Sequence, residues 1–329
     1  MDMHILFLAP YFNQPRGNST TIKRLVHFLD KQDVNLSVIP YLENDNWFCS
    51  EPDIYHILHA TRYLQWAKET HFRLNRPYIV TMGGTDINID LQKGVTEDIF
   101  TFLQGAAYIT VFTEDAKRKV IQLDPKWEDK TRVIPQGIWL PWTISKKWDE
   151  LDPHILLPAG LRRVKDVLHV IPALDQLIVQ YPMMKYTILG ANLDERVKQE
   201  VHKKTEKRPW MNYAGVVPYE VMKVWYEQAQ IIINTSQSEG QSLAVMEAMA
   251  MGKPVIARKN EANLQLVTHE TTGWLYESMD EFKHAIHSII HNPSLRESVV
   301  EKARQWIVEH YSPEKEVQTY YQLYKTIYY

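Results

Sequence analysis

Residues 231–257 read IIINTSQSEGQSLAVMEAMAMGKPVIA. Strand, loop, helix and strand follow one another here, with two acidic residues placed where amphipathic patterning has no use for them. Ile231, Ile232 and Ile233 are β-branched, as in a strand buried on both faces. Residues 234–240 are small and polar and end in glycine, a loop. Ser238 and Gln241 have capping-box spacing, so the helix is expected to start near Gly240, leaving several N–H groups of its first turn without helical partners. Such groups, at the positive end of the helix dipole, attract anions. Leu243, Met246 and Ala250 then share one face, Gly252 stops the helix, and residues 254–257 resume as a strand.

Glu247 lies four residues after Leu243 and three before Ala250, on the apolar stripe, where a charge is costly unless it is hydrogen-bonded. Glu239 comes off the preceding loop and can point across the same crevice. Two roles fit these residues. In one, both carboxylates accept hydrogen bonds from hydroxyls of a ligand whose phosphates rest on the helix N-terminus. In the other, one glutamate caps the helix and the other pairs with a buried arginine. Glu239, seven intervening residues and Glu247, inside SEGQSLAVMEAMAMGKPVIA, resembles the nucleotide-sugar motif of retaining GT-B glycosyltransferases of the glycosyltransferase group 1 (family 4) type. The resemblance favours the ligand role. It implies an α/β fold of the GT-B kind: two Rossmann-like domains facing across a cleft, with a C-terminal helix crossing back to the first domain.

The 329 residues suit two domains, each with its own core. The expected division is an acceptor-side domain over residues 1–146, a nucleotide-sugar domain over 147–312, and a returning helix over 313–329. A net charge of −3 argues against a nucleic-acid binder, and no apolar run is long enough to span a bilayer. The opening MDMHILFLAP lacks the basic start and cleavage site of a secretory signal and reads as a first strand. Cys49 is the single cysteine, an inert thiol suited to a reducing cytoplasm. Lys203, Lys204, Lys207 and Arg208 form a basic cluster, read as a solvated helix end, with peripheral membrane contact as the alternative.

Strands are expected at 4–8, 34–39, 54–58, 78–82, 107–111 and 132–134, with helices through Ile22, Leu25, Val26 and Leu29 and near 62–72, 96–104 and 114–123. This alternation predicts a parallel sheet with ligands at the carboxyl ends of its strands. The loop after the first strand has no G-x-G-x-x-G, and Lys253 leads into Pro254, so neither a dinucleotide cofactor nor a Walker A site is expected. Gly17 and Asn18 either let a helix N-terminus approach the donor phosphate or acceptor, or make an ordinary turn and cap. In YIVTMGGTDINID, residues 78–90, a strand runs into Gly83, Gly84, Thr85 and Asp86. It resembles the family segment that carries a histidine before Gly-Thr-Asp, but Gly83 occupies that position here. By resemblance Gly84 and Asp86 contact the donor; otherwise the glycines make a tight turn capped by Asp86.

Residues 137–153 break the alternation with prolines and Trp139, Trp142 and Trp148, an interdomain linker. A strand at 154–157, a loop at 158–166 and a helix at 167–180 open the second half. The loop AGLRRVKD resembles the family's basic donor-phosphate motif, carried by Arg162 and Lys165, with Arg163 able to replace Arg162. A guanidinium and an ammonium there would neutralise a diphosphate leaving group. Further strands are expected at 186–190 and 213–217, then a helix through Met222 and Tyr226. By resemblance Val216 and Val217 frame the nucleobase. ARKNEANLQLVTHETTGWLY, GGTDIN and LLPAGLRRVKD resemble a subfamily described as glycosyltransferase group 1 domain-containing proteins. Helices near 279–291, 294–310 and 313–329 close the chain, with Tyr320, Tyr321 and Tyr324 as core.

The resemblance implies transfer of a glycosyl unit from a nucleotide sugar, UDP-sugar favoured, to an unidentified hydroxyl of a glycan, lipid-linked or small-molecule acceptor. Retention is implied, with the departing phosphate assisting deprotonation. Glu239 would hold the sugar, Glu247 the ribose, Arg162 and Lys165 the diphosphate, and Gly240, Gln241, Ser242 and Leu243 the sugar and phosphate through their backbone. No Asp-x-Asp or H-E-x-x-H is present, and neither a metal nor a cofactor is expected. A paired-carboxylate hydrolase fits poorly, because Glu247 is two turns inside the helix. An epimerase on the same fold, or a non-catalytic nucleotide-sugar-binding subunit, remains as an alternative. The histidines, His56, His59, His287 and His291 among them, are read as surface or satisfied core residues.

Overall fold

The structure is a computed structural model and describes residues 3–14, 16–43, 50–140 and 153–329. Cys49, Trp142 and Trp148 lie outside the described residues, as does most of the linker. The chain divides into two units, Met1–Trp139 with Tyr311–Tyr329, and Leu140–His310. No helix among the described residues is long and apolar enough to cross a membrane.

The first unit holds β1 (Met3–Ala9), β2 (Val34–Pro40), β3 (Ile54–Leu58), β4 (Tyr78–Met82), β5 (Tyr108–Val111) and β6 (Thr131–Val133). They pair in parallel, in the order β2-β1-β3-β4-β5-β6. Successive side chains of a strand point to opposite faces, and β1 is apolar on both. Ile5, Phe7 and Ala9 share a core with Ile22, Leu25 and Leu29 of the helix Gly17–Leu29 and with Val317, Tyr320 and Tyr324 of the helix Pro313–Tyr328. Leu6 and Leu8 share the other with Tyr63, Trp66 and Leu103. The tyrosine stripe of the tail is therefore core, and the last helix belongs to the first unit.

Polar groups fasten that helix. Arg24 and Glu316, 2% and 4% exposed, form a two-pronged pair, Nε to Oε2 at 2.7 Å and Nη2 to Oε1 at 2.9 Å, and the Gly137 N–H donates to the same Oε2 at 2.9 Å. A buried pair of this kind is tolerable because its hydrogen-bonding sites are filled. His56 of β3 lies 2.5 Å from Tyr324 Oη through Nδ1 and 2.6 Å from Thr81 Oγ1 through Nε2. Burial pushes its pKa down to about 3.

The second unit holds β7 (His154–Pro158), β8 (Lys185–Leu189), β9 (Met211–Gly215), β10 (Ile231–Asn234), β11 (Val255–Arg258) and β12 (Trp274–Tyr276), in the order β12-β11-β10-β7-β8-β9, again all parallel. The helix expected over 167–180 is the shorter Ile171–Leu177, with turns at both ends. Pro172 explains the late start, since proline fits the first helical turn and interrupts later ones. The helix Glu195–Thr205 ends in the basic cluster; Lys203, Lys204 and Lys207 are exposed, while Arg208 grips Asp175 at 2.7 and 2.8 Å.

Each sheet has one place where the strand order reverses: between β1 and β3 in the first unit, and between β7 and β10 in the second. Carboxyl ends of parallel strands at such a reversal diverge into loops that leave a crevice, the usual ligand position in open α/β sheets.

Candidate functional site

In the second unit the two loops at the reversal are those after β7 and β10, and they are sewn together. Thr235 Oγ1 donates to the Lys165 carbonyl at 2.7 Å, and the Gln237 N–H donates to the Val164 carbonyl at 2.9 Å. Their side chains then converge on Glu239. Lys165 Nζ donates to Oε1 at 2.5 Å, Ser236 Oγ at 2.7 Å and Asn234 Nδ2 at 3.2 Å. Burial raises the Glu239 pKa, but the Lys165 charge and hydrogen bonds from Lys165, Ser236 and Asn234 outweigh it, and the carboxyl is held below its ordinary value. The result is a fixed anion beside a fixed cation, with side chains only 10% and 16% exposed.

Asp166, left-handed at φ +44, accepts from Arg258 Nη1 at 2.8 Å and Gln237 Nε2 at 3.3 Å, which braces the turn carrying Lys165. Arg162 precedes that turn and is partly buried, whereas Arg163 is 71% exposed at 3.9 Å from Asp194. Of the two candidate arginines, Arg162 is the less exposed.

The helix after β10 is Leu243–Ala250, so it begins three residues later than its sequence signals indicate, and no side chain caps it. The loop explains this. Ser242 Oγ accepts from Asn234 Nδ2 at 3.0 Å and Glu239 is drawn onto Ser236 and Lys165, so residues 236–242 are tied to the strand end rather than wound into a first turn. Gly240, Gln241 and Leu243 are partly exposed in this loop and helix start, and Ser242 is buried.

Glu247 is 8% exposed in that helix. Two hydroxyls meet it: Tyr226 Oη donates to Oε2 at 2.7 Å and Tyr219 Oη to Oε1 at 3.2 Å. Burial and the neighbouring Glu247 carboxylate raise the Tyr226 pKa well above its ordinary value, which keeps it a donor. The buried arginine considered from the sequence is not the partner shown. Gly215, left-handed at φ +73, turns the chain after β9 so that Val216 is 51% exposed and Val217 partly so.

The remaining candidates belong to the first unit. Gly17 is exposed at the first position of its helix. Gly83 and Gly84 make no left-handed turn; helical geometry starts at Gly84 and passes into a π-helical segment, Asp86–Asp90. A β-carbon at Gly83 would meet only Phe112 Cε2, at 4.0 Å, so the backbone does not demand glycine there. Asp86 is fully buried; its Oδ2 accepts the Gly83 N–H at 3.0 Å and its Oδ1 lies 2.7 Å from His59 Nδ1. His59, Asp86 and Asp90 bring possible ligand atoms within 4.8 Å of one another, a grouping able to hold a metal ion that no sequence motif marks.

Sequence reasoning missed His59, Asn234, Ser236, Arg258 and the two tyrosines on Glu247. For Tyr226 a signal existed, since it was already assigned to the helix before β10. For His59 the signal was its place, the first residue beyond a predicted strand.

The family model described as Glycosyl transferases group 1 matches residues 142–306. Glycosyltransferase 1 domain-containing protein 1 of Xenopus tropicalis is 27% identical over 97% of this chain and 96% of its own length. Among solved structures, HepE of Anabaena in complex with UDP and glucose superposes with a TM-score of 0.76 at 15% identity, over 98% of this chain and 100% of that one. Sucrose-phosphate synthase of Thermosynechococcus elongatus superposes with a TM-score of 0.76 at 16% identity, over 99% of each chain. At such identities the likeness establishes the fold, which is GT-B.

Proposed function

We propose, from the premise that the chain belongs to the group 1 glycosyl transferases, that it moves a sugar from a nucleotide-sugar donor to an acceptor hydroxyl with retention at the anomeric carbon. The observation carrying the proposal is the Lys165–Glu239 pair, locked between the loops after β7 and β10 where the strand order reverses. A diphosphate at this edge would meet Lys165 and Arg162, which offset the charge that grows as the sugar departs. Glu239, held ionised, would accept hydrogen bonds from sugar hydroxyls. Glu247, aimed by Tyr219 and Tyr226, would accept them from the ribose. The leaving phosphate would take the acceptor proton, so no carboxylate nucleophile is needed. UDP is the favoured nucleotide, supported by the UDP complex of HepE. Metal independence is part of the proposal, because two cationic side chains already face the diphosphate position; a rate unaffected by EDTA is expected. The proposed compartment is the cytoplasm, on the lone cysteine.

The test is a thermal-shift panel of UDP-, GDP- and ADP-sugars on wild type, Glu247→Ala and Glu239→Gln, followed by nucleotide-release assays with and without acceptors. Glu247→Ala is expected to abolish nucleotide-dependent stabilisation, and Glu239→Gln to lower turnover more than binding. Unchanged nucleotide stabilisation in Glu247→Ala would sink the site assignment. Products formed without any acceptor would favour an epimerase, and binding without turnover a non-catalytic subunit.

A further inference from the structure

His59 follows β3 directly, at the strand-order reversal of the first unit. Its backbone is left-handed, with φ 73 and ψ 87, a conformation that strains a residue bearing a β-carbon. In this conformation its ring lies with Nδ1 2.7 Å from Asp86 Oδ1, and the opposite oxygen of Asp86 is pinned by the Gly83 N–H at 3.0 Å. In the neutral ring, Nδ1, which faces a carboxylate oxygen, carries the proton. Nε2 is then left with a lone pair, the tautomer rule for a carboxylate-oriented imidazole. That nitrogen is buried and meets no hydrogen-bond partner in the structure. A buried polar atom without a partner forfeits its hydration with nothing in return.

The fold holds this backbone, since the His59 N–H donates to the Thr81 carbonyl at 3.1 Å and its carbonyl accepts from the Tyr63 N–H at 3.0 Å, but packing does not explain the unmet Nε2. His56, on the same strand, shows what a packing histidine looks like: extended backbone and a partner for each ring nitrogen. In His59 a strained backbone, a buried orienting carboxylate and an unsatisfied acceptor coincide at the ligand edge of the sheet.

We propose that His59 is a substrate-contacting residue of the transfer reaction: Nε2 accepts a hydrogen bond from a substrate hydroxyl, on the donor sugar or the acceptor, and Asp86 is the positioning residue that fixes the tautomer. The proposal rests on the sugar-transfer reading above. It also reassigns Asp86, whose two oxygens are taken up by Gly83 and His59, from contacting the donor to aiming the ring.

The full chain and three variants, His59→Gln, Asp86→Asn and the double variant, test it. Asp86→Asn is diagnostic. The Gly83 N–H retains the amide oxygen, so the –NH2 group faces Nδ1, which must become the acceptor, and the ring proton moves to Nε2. Nucleoside diphosphate release is measured from UDP-glucose, UDP-N-acetylglucosamine, GDP-mannose and ADP-glucose, with water or methyl glycosides as acceptors. Alongside it run UDP thermal shifts and nitrogen NMR of the histidine rings. Each single variant should lose about 10-fold or more in kcat with the UDP shift unchanged. The double variant should be no slower than His59→Gln, and the Asp86→Asn ring should carry its proton on Nε2. A rise in acceptor KM assigns the hydroxyl to the acceptor; a rise in donor KM assigns it to the sugar. Wild-type turnover in His59→Gln overturns the role and leaves sugar transfer intact. Should Gln at 59 prevent folding, wild-type turnover in an Asp86→Asn protein with the shifted tautomer does the same. A wild type releasing no nucleotide from any donor overturns the transfer reading and this role together. Turnover abolished by EDTA and restored by Mn2+ replaces the hydrogen-bonding role with an ion held by His59, Asp86 and Asp90.

Discussion

Acid should loosen the first unit through one buried side chain. His56 is fully buried, and its pKa is about 3 against 6.5 for an exposed histidine. Between those values the unfolded chain binds a proton that the folded one refuses, so stability rises with pH across the window. The contribution is complete above about pH 6.5 and is lost as pH falls toward 3. One pH unit corresponds to about 1.4 kcal/mol once the unfolded histidine is fully charged, which gives a loss of about 2 kcal/mol at pH 5 relative to pH 8. Against a typical total of about 5–15 kcal/mol this is a large fraction. Carboxylates titrate in the same range, so the measurement is a difference between wild type and His56→Asn, which keeps a donor and an acceptor near Tyr324 and Thr81 but does not titrate. Hydrogen exchange in a urea series, read on peptides covering β3 and the helix Pro313–Tyr328, reports the first unit alone. The stability advantage of wild type should shrink by about 2 kcal/mol from pH 8 to pH 5. An advantage that stays constant would refute the reasoning, because it would mean that the folded unit accepts the proton.

Lys165→Met should remove the charge that holds the Glu239 carboxyl low, so that burial prevails and its pKa rises. Turnover should fall about 100- to 1000-fold, and the acid limb of the kcat profile should move to higher pH; a limb that does not move counts against the pair. Gly190→Ala places a β-carbon 2.4 Å from the Ala159 carbonyl oxygen and 2.6 Å from the Gly160 N, backbone atoms unable to yield cheaply. A loss of about 1–3 kcal/mol in thermal unfolding is expected, with weaker stabilisation by UDP, since Ala159 and Gly160 lead into the Arg162 loop.

Long, strongly patterned elements were legible from composition and spacing alone. Strands at 54–58 and 78–82 and helices at 114–123 and 279–291 lie where their apolar period puts them. Two short elements escaped, because three residues in Trp274–Tyr276 or six in Glu261–Leu266 cannot establish a period. The loop after β10 shows a different limit. Ser238 and Gln241 have the spacing of a capping box, yet the loop's hydrogen bonds run to Asn234 and to Lys165, the latter 74 residues away in sequence. Local spacing cannot foresee a competitor that arrives through tertiary structure. His59 and Asp86 were invisible as a pair for the same reason: they meet only because β3 and β4 are neighbours.

The first unit is interrupted in sequence, and this gives it an unusual birth order. Its closing helix follows about 170 residues of the second unit. At ribosomal speeds of about 5–20 residues per second, that interval is roughly ten to thirty seconds. Throughout it Ile5, Phe7 and Ile54 lack the cover of Tyr320 and Tyr324, and Arg24 lacks Glu316. The first unit is therefore completed only after the second has been made, and a nascent chain must carry an open apolar sheet face, with an unneutralised guanidinium beside it, until residues 313–328 emerge.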